Sequence, residues 1–273
     1  MRRYIKEIVM KKIMVITGAS SGMGRDFVKQ IEEREKVDEI WVLARREDRL
    51  IELSKEVKTP LVPIAIDLSN IEQIKTYKEK LESENPDVVL LANCAGYGKF
   101  DHYENIPLET ELNMVDLNCK SVMTMVKYTL PYMRNGARIV NIASCSAFQP
   151  IPYINVYAST KAFLVHYSRA LNLELKYRGI SVTAVCPFWT KTEFFDRAIN
   201  PDRKDVVIKY SVIYDSKKVV AKAIKDAYNR KDISVYGGKN NLQRILVKLL
   251  PHKLVMKIWS KQQKFDGTPN IRK

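Results

Sequence analysis

Along most of the chain, short apolar runs alternate with longer segments in which apolar positions return every three or four residues. The first pattern fits a strand buried on both faces, and the second fits a helix with one buried stripe. Strands are predicted over Ile13–Ile16, Glu39–Ala44, Leu61–Ile66, Asp87–Asn93, Arg138–Ala143, Ile180–Val185 and Ile233–Tyr236. Helical period fills the intervals at about Arg25–Arg34, Glu47–Val57, Ile71–Glu84, Leu108–Met133, Asn155–Arg178 and Ser216–Asn229. Strands that alternate with helices in this way predict an α/β fold: a doubly wound sheet of about seven parallel strands, helices on both faces. The absence of an internal repeat or low-complexity linker points to one domain over residues 1–273.

Two regions fall outside the alternation. Residues 188–214 are irregular and hold Phe188, Trp189, Phe194, Phe195, Tyr210 and Tyr214, which suit either an apolar substrate pocket or the packing of a lid. Residues 239–273 form an extension with two helical stripes, Leu242/Ile245/Leu246/Leu249/Leu250 and, beyond Pro251, Leu254/Val255/Ile258/Trp259.

Charge sharpens the reading of that extension. The formal net charge is +15, of which residues 1–12 contribute +4 and residues 239–273 contribute +8. The body is thus nearly balanced, the opposite of a protein that lines a nucleic-acid site with cations, and no nucleic-acid partner is expected. A basic amphipathic tail suits an anionic membrane surface, a cover over the substrate pocket or a dimer interface, and the sequence leaves all three open. The basic leader, residues 1–11, lacks the long apolar stretch of a secretory signal, and no apolar run is long enough to span a bilayer. The four cysteines and three histidines follow no metal-ligand spacing, so free thiols, a cytoplasmic location and no metal are expected.

The first strand runs into Thr17-Gly18-Ala19-Ser20-Ser21-Gly22-Met23-Gly24 and then a helix. Glycines there allow a tight turn, close approach of backbone to a pyrophosphate, and a helix N-terminus aimed at the phosphates. The second strand ends in Arg45-Arg46, where a carboxylate would favour a free ribose 2′-hydroxyl; two cations instead favour a 2′-phosphate, with Ser20 as a further donor. Asp67, closing the third strand, suits either an adenine amino group or a cap formed with Ser69.

Tyr157 and Lys161 are four apart in a helical segment and share one face. A second such pair, Tyr214 and Lys218, is also present, but only the first follows a serine, Ser144, set just beyond a buried strand. With Thr17–Gly24, Asp67-Leu68, Asn93-Cys94-Ala95-Gly96, Asn118, Ser144, Tyr157–Lys161 and Pro187–Thr192 in this order, the chain resembles the classical short-chain dehydrogenase/reductase family over about residues 12–238. The resemblance implies a Rossmann-type fold, a homodimer or homotetramer, NADP(H) as cofactor and a tetrad of Asn118, Ser144, Tyr157 and Lys161. It also assigns the cofactor to Gly18, Ser20, Ser21, Gly22, Met23, Gly24, Arg45, Arg46, Asp67, Leu68, Asn93, Ala95, Gly96, Tyr157, Lys161, Pro187, Thr190 and Thr192. Two positions depart from the family pattern: Cys94 replaces a second asparagine, and Phe188 replaces the glycine after Pro187, which puts the local backbone in question.

The implied chemistry is interconversion of a ketone or aldehyde with an alcohol. Tyr157 is the acid/base, its pKa expected to fall from about 10 through Lys161 and a cationic nicotinamide. Ser144 is expected to orient the carbonyl, Lys161 to hold the nicotinamide ribose, and Asn118 to position a water for proton supply, the last two on the resemblance alone. Thr192, and Thr190 beside it, are expected at the carboxamide. A tail of this kind looks like those of family members acting on acyl chains or other lipophilic ketones, so a lipophilic carbonyl is the expected substrate. A non-catalytic NADP(H)-sensing or scaffold protein of the same fold is the alternative; loss of a tetrad residue would be its sign, and all four are present.

Overall fold

A computed structural model describes residues 10–199 and 206–265. The leader expected over residues 1–11 therefore lies almost wholly outside the described residues. Nine strands and ten α-helices are seen among them. In chain order they are β1 (Lys12–Thr17), α1 (Gly22–Ile31), β2 (Glu39–Ala44), α2 (Glu47–Ser54), β3 (Leu61–Ala65), α3 (Ile71–Glu84) and β4 (Asp87–Asn93). Next come α4 (Leu108–Val115), α5 (Ser121–Thr129), β5 (Arg138–Ile142), α6 (Asn155–Glu174) and β6 (Ser181–Val185). The last part holds β7 (Thr190–Lys191), α7 (Phe194–Ala198), β8 (Tyr214–Asp215), α8 (Ser216–Tyr228), β9 (Ile233–Ser234), α9 (Gly238–Leu249) and α10 (His252–Gln263).

Seven strands form one parallel sheet in the order β3-β2-β1-β4-β5-β6-β9. This is the expected Rossmann-type doubly wound sheet. The chain reverses direction across the sheet between β1 and β4, which opens a crevice at their carboxyl ends. Burial is two-sided, as the continuous apolar runs require. Met14 and Ile16 join one core with Phe27, Ile31 and Ile224, while Ile13 and Val15 join the opposite core with Trp41, Tyr77 and Val182. Helices α1 and α8 pack together on the first face, and α3 and α5 pack on the second.

Several elements differ from expectation. The helix expected over Leu108–Met133 is broken by a π-turn at Asp116–Lys120 and ends in a 3-10 turn at Leu130–Tyr132. The last strand stops at Ser234 because Tyr236 already turns toward α9, its carbonyl accepting from Asn240 Nδ2 at 2.7 Å. The irregular stretch contains α7 and a two-stranded parallel sheet of β7 and β8.

Candidate active site

The glycine-rich turn between β1 and α1 is held by contacts that only glycine allows. Gly18 sits at φ +68, and a Cβ there would lie 2.7 Å from the Ala95 nitrogen; at Gly24 a Cβ would lie 2.3 Å from the Gly18 carbonyl oxygen. Thr17 Oγ1 accepts from the Cys94 and Ala95 amides at 3.0 and 3.1 Å, tying the end of β1 to that of β4. The result is a backbone-lined cradle at a helix N-terminus, which fits a dinucleotide pyrophosphate in both shape and charge.

From this cradle a cleft of about 410 Å³ runs over the sheet edge. Gly18, Ser20, Ser21, Gly22, Met23, Gly24, Arg45, Arg46, Asp67, Leu68, Ala95, Gly96 and Thr192, all assigned to the cofactor by the resemblance, line it. Arg46 donates through Nη2 to Ser20 Oγ at 3.1 Å and Ser21 Oγ at 3.0 Å, so guanidinium and hydroxyls converge on one spot. Asp67 is not the helix cap, a place taken by Asn70, whose side chain accepts from the Glu72 amide at 3.0 Å; Asp67 Oδ1 instead closes a turn, accepting from the Ser69 amide and hydroxyl at 2.9 and 2.8 Å. Its other oxygen stands 4.0 Å from Arg45 Nη1. Asn93 lines neither this cleft nor the cavity below. It is buried, and its Nδ2 donates to Asn141 Oδ1 at 2.8 Å in a polar ladder that continues to Ser168. A period-two strand sends Asn93 inward while Cys94 takes the wall position.

Where the cleft ends, a second cavity of about 620 Å³ begins, within the range of small-molecule sites. Met23, Cys94, Gly96, Thr192 and Phe194 line both, so the two are continuous. Ser144, Tyr157 and Lys161 stand at this junction. Ser144 follows β5 and caps the 3-10 turn Cys145–Phe148, its Oγ accepting from the Ser146 amide at 3.1 Å. Tyr157 and Lys161 come from the first turns of α6, one above the other as their spacing predicts. Gly98 packs flat on the tyrosine ring: a Cβ there would meet Cδ2 at 2.7 Å.

Asn118 lies behind the junction, fully buried on the π-turn, where the local widening of the helix turns a side chain inward. Its Oδ1 accepts from the Tyr97 amide at 3.1 Å, and its Nδ2 donates to the Tyr97 carbonyl at 2.9 Å and Thr160 Oγ1 at 3.0 Å. Asn118 and Lys161 meet over Gly96, where a Cβ would stand 2.9 Å from Asn118 Oδ1 and 3.2 Å from Lys161 Nζ.

In the protein alone, burial dominates the electrostatics of Tyr157. Burial pushes its phenol up to about 12, and the Ser144 hydrogen bond opposes this only in part. Burial likewise brings Lys161 down to about 8. Its Nζ donates to the Ile142 carbonyl at 2.8 Å and lies 5.6 Å from the tyrosine ring centroid, so in the protein alone desolvation outweighs attraction between the two. The tyrosine is therefore a protonated acid at neutral pH. Burial also raises all four free thiols, Cys186 the most strongly buried of them.

The outer cavity wall is aromatic. Pro187, Phe188, Trp189, Thr190, Phe194 and Phe195 line it, with Trp189 packed edge-on against Phe100 and Tyr210. Phe188 is not among the residues of positive φ, so its φ does not call for a glycine. Its carbonyl accepts from Thr190 Oγ1 at 2.8 Å. Thr192 Oγ1 accepts from the Phe194 amide at 3.3 Å, and its methyl side faces Gly22 across the cleft.

Residues from far along the chain also reach the site, and of these Glu193 and Arg197 carry no signal in the sequence, whereas the stripes of the tail do. Glu193, just before α7, crosses the cleft mouth to Arg46 Nη1 at 3.1 Å and Arg49 Nη1 at 2.6 Å. Burial opposes ionisation of Glu193, but the two arginine hydrogen bonds outweigh it and hold the carboxyl below its ordinary value. Arg197 lies over the Tyr97 ring, 4.3 Å from its centroid, and both line the same cleft. Leu246, Val247, Leu250, Val255, Ile258 and Trp259 bring α9 and α10 to the cavity, and Trp259 Nε1 donates to the Pro152 carbonyl at 3.3 Å. Of the three placements left open for the tail, the pocket cover is observed.

Comparison with known proteins agrees with this geometry. A family model described as short chain dehydrogenase matches residues 12–203. The chain is 31% identical over 194 residues to the very-long-chain 3-oxoacyl-CoA reductase-B of Danio rerio, a match covering 67% of this chain and 60% of that one. It is 30% identical over 190 residues to the NADP-dependent 3-hydroxy acid dehydrogenase of Schizosaccharomyces pombe, covering 67% of this chain and 73% of that one. Among solved structures, a short-chain dehydrogenase from Sphingobium yanoikuyae in complex with NADPH aligns with a TM-score of 0.73 at 22% identity, covering 96% of this chain and 98% of that one, a likeness of fold.

Proposed function

Since the chain belongs to the short chain dehydrogenase family and is an oxidoreductase acting on CH–OH groups, we propose that it reduces a lipophilic ketone or aldehyde with NADPH. The observation that carries this reading is the junction itself: a polar cleft ending in arginines meets an apolar cavity, and Ser144, Tyr157 and Lys161 stand between them. The cradle around Gly18 and Gly24 takes the pyrophosphate, and Arg46 with Ser20 takes the 2′-phosphate. Arg45, Asp67 and Leu68 line the adenosine end, and Ala95, Gly96, Pro187, Thr190 and Thr192 line the nicotinamide end. The preference for NADP(H) is also that of the fission-yeast relative by its name.

When bound, the cofactor supplies the hydride that reduces the carbonyl carbon. The chain's own residues handle the proton and the developing charge. Tyr157 Oη gives its proton to the carbonyl oxygen, a task suited to a phenol held protonated at neutral pH. Ser144 Oγ donates a hydrogen bond to the same oxygen and fixes its direction. Lys161 holds the ribose, and its charge stabilises the phenolate left behind. Asn118, locked to Tyr97 and Thr160, keeps that end of Lys161 in register and positions a water for proton resupply.

An apolar cavity of this size, with an aromatic wall and two helices over it, supports an acyl-chain or steroid-like carbonyl rather than a sugar. The zebrafish relative, of which this chain matches about 60%, is a 3-oxoacyl-CoA reductase by name and points the same way. A homodimer or homotetramer is supported by apolar residues left exposed on α4 and α6, among them Leu112 and Leu173. Four free cysteines support a reducing, cytoplasmic setting. The direct test follows NADPH and NADH oxidation against ketones graded from small polar to long-chain acyl and steroid. NADPH-dependent turnover that rises with chain length is expected. No turnover on any member, with NADPH still bound, would favour the non-catalytic sensor.

A further inference from the structure

Much of the apolar stripe of α9 faces away from the protein. On that helix the buried positions are Asn240 and Val247, whereas Leu242, Ile245 and Leu249 are 58%, 46% and 76% exposed. Helix α10 repeats the arrangement: Val255 and Gln263 are buried, while Leu254 and Ile258 are 45% and 44% exposed. A surface helix ordinarily turns its apolar stripe to the core. Here the inward side is anchored by polar groups instead. Asn240 Nδ2 donates to Tyr236, Trp259 Nε1 donates to Pro152, and Gln263 Oε1 accepts from the amides of Ile208 and Lys209 at 3.0 and 2.9 Å. These bonds fix the helices with their leucines outward, and exposed Ile208 extends the same surface.

The charge of this surface is one-sided. Residues 239–265 contain Lys239, Arg244, Lys248, Lys253, Lys257, Lys261 and Lys264, and no Asp or Glu. The substrate cavity also reaches this surface, because Leu246, Leu250 and Ile258 line the cavity and are themselves exposed.

We propose that the outward face of α9 and α10 docks on an anionic lipid bilayer and sets the mouth of the substrate cavity against the membrane. The leucines and isoleucines enter the acyl boundary while the surrounding lysines meet the lipid headgroups. A second copy of the chain suits this face poorly, since an isologous contact would oppose two sets of cations with no acid between them. Peripheral contact then serves chemistry: a lipophilic carbonyl reaches the cavity from the bilayer without crossing water. That consequence rests on the proposed reductase function, whereas the docking itself rests on the exposed face and its charge.

Flotation of the full chain with vesicles tests it, using phosphatidylcholine alone and phosphatidylcholine mixed with phosphatidylserine. Two variants leave the cavity lining intact: I245S/L249S/L254S, which removes exposed apolar side chains, and K253E/K257E, which reverses charge. The unaltered chain is expected to float with the anionic vesicles and far less with neutral ones, and each variant to lose at least about tenfold in partition. Equal partition of all three proteins, or no binding to anionic vesicles, would overturn the proposal. A sedimentation change in the apolar variant without vesicle binding would overturn it in favour of a self-association face. NADPH-dependent reduction of a water-miscible ketone, measured on the same samples without vesicles, reads the proposed function separately.

Discussion

The two halves of the site are built by different means. The cofactor half, from β1 to the turn after β5, is fixed by backbone geometry and buried polar bonds. Gly18 and Gly24 leave no room for a side chain, Thr17 ties two strand ends together, and Asn118 is satisfied on every polar atom the chain offers it. The substrate half, from Phe188 to Gln263, is built from apolar side chains of α7, α9, α10 and the loop between, joined by few polar anchors. Cores of the first kind tolerate almost no change, while apolar walls can be reshaped at modest cost.

Between the two halves, the larger expected effect comes from breaking the rigid one. Gly24→Ala drives a Cβ into the Gly18 carbonyl, and NADPH binding followed by fluorescence is expected to weaken at least about tenfold. Unchanged affinity would mean that the turn is softer than its contacts imply. Arg46→Ala removes a charged donor to the 2′-phosphate, a loss of about 1.5–3 kcal/mol or roughly ten- to hundredfold in NADPH affinity, with NADH little affected. Equal losses for the two cofactors would remove the 2′-phosphate assignment.

Next comes pH. Burial lowers Lys161 to about 8, so its charge is present below that pH and lost as pH rises through it. Tyr157 stays protonated across this window because its own value lies near 12. The reductive kcat/KM is therefore expected to fall above about pH 8, and a profile flat to pH 10 would contradict the role given to Lys161. The smallest effect is expected in the cover: Trp259→Ala should raise KM for a long-chain ketone by a few-fold, leaving KM for a small ketone and for NADPH unchanged.

The same division decides what the sequence made legible. The five inner strands are readable because burial on both faces leaves continuous apolar runs, whereas the edge strands β3 and β9 are only partly buried; the cofactor turn is readable because glycine spacing encodes backbone shape. The π-turn at Asp116–Lys120 was not, since one extra residue in a helical turn barely disturbs the apolar period. The motif does not say which side chain lines the cleft: strand alternation turns that of Asn93 into the sheet interior and gives the wall to Cys94. Contacts of long sequence range were invisible: nothing near Glu193 signals that Arg46 and Arg49 lie across from it. The amphipathic period of α9 is legible in the sequence, yet period alone does not say which way a stripe faces when polar anchors hold the other side.

The account stands most directly on Tyr157 as the proton donor at the junction. The measurement is single-turnover NADPH oxidation by the unaltered chain and by Tyr157→Phe with the best ketone of the graded series, alongside NADPH binding by each. The account predicts a loss of at least about a hundredfold in the chemical step with binding unchanged. Turnover retained within a few-fold in Tyr157→Phe, with the same cofactor affinity, would contradict it.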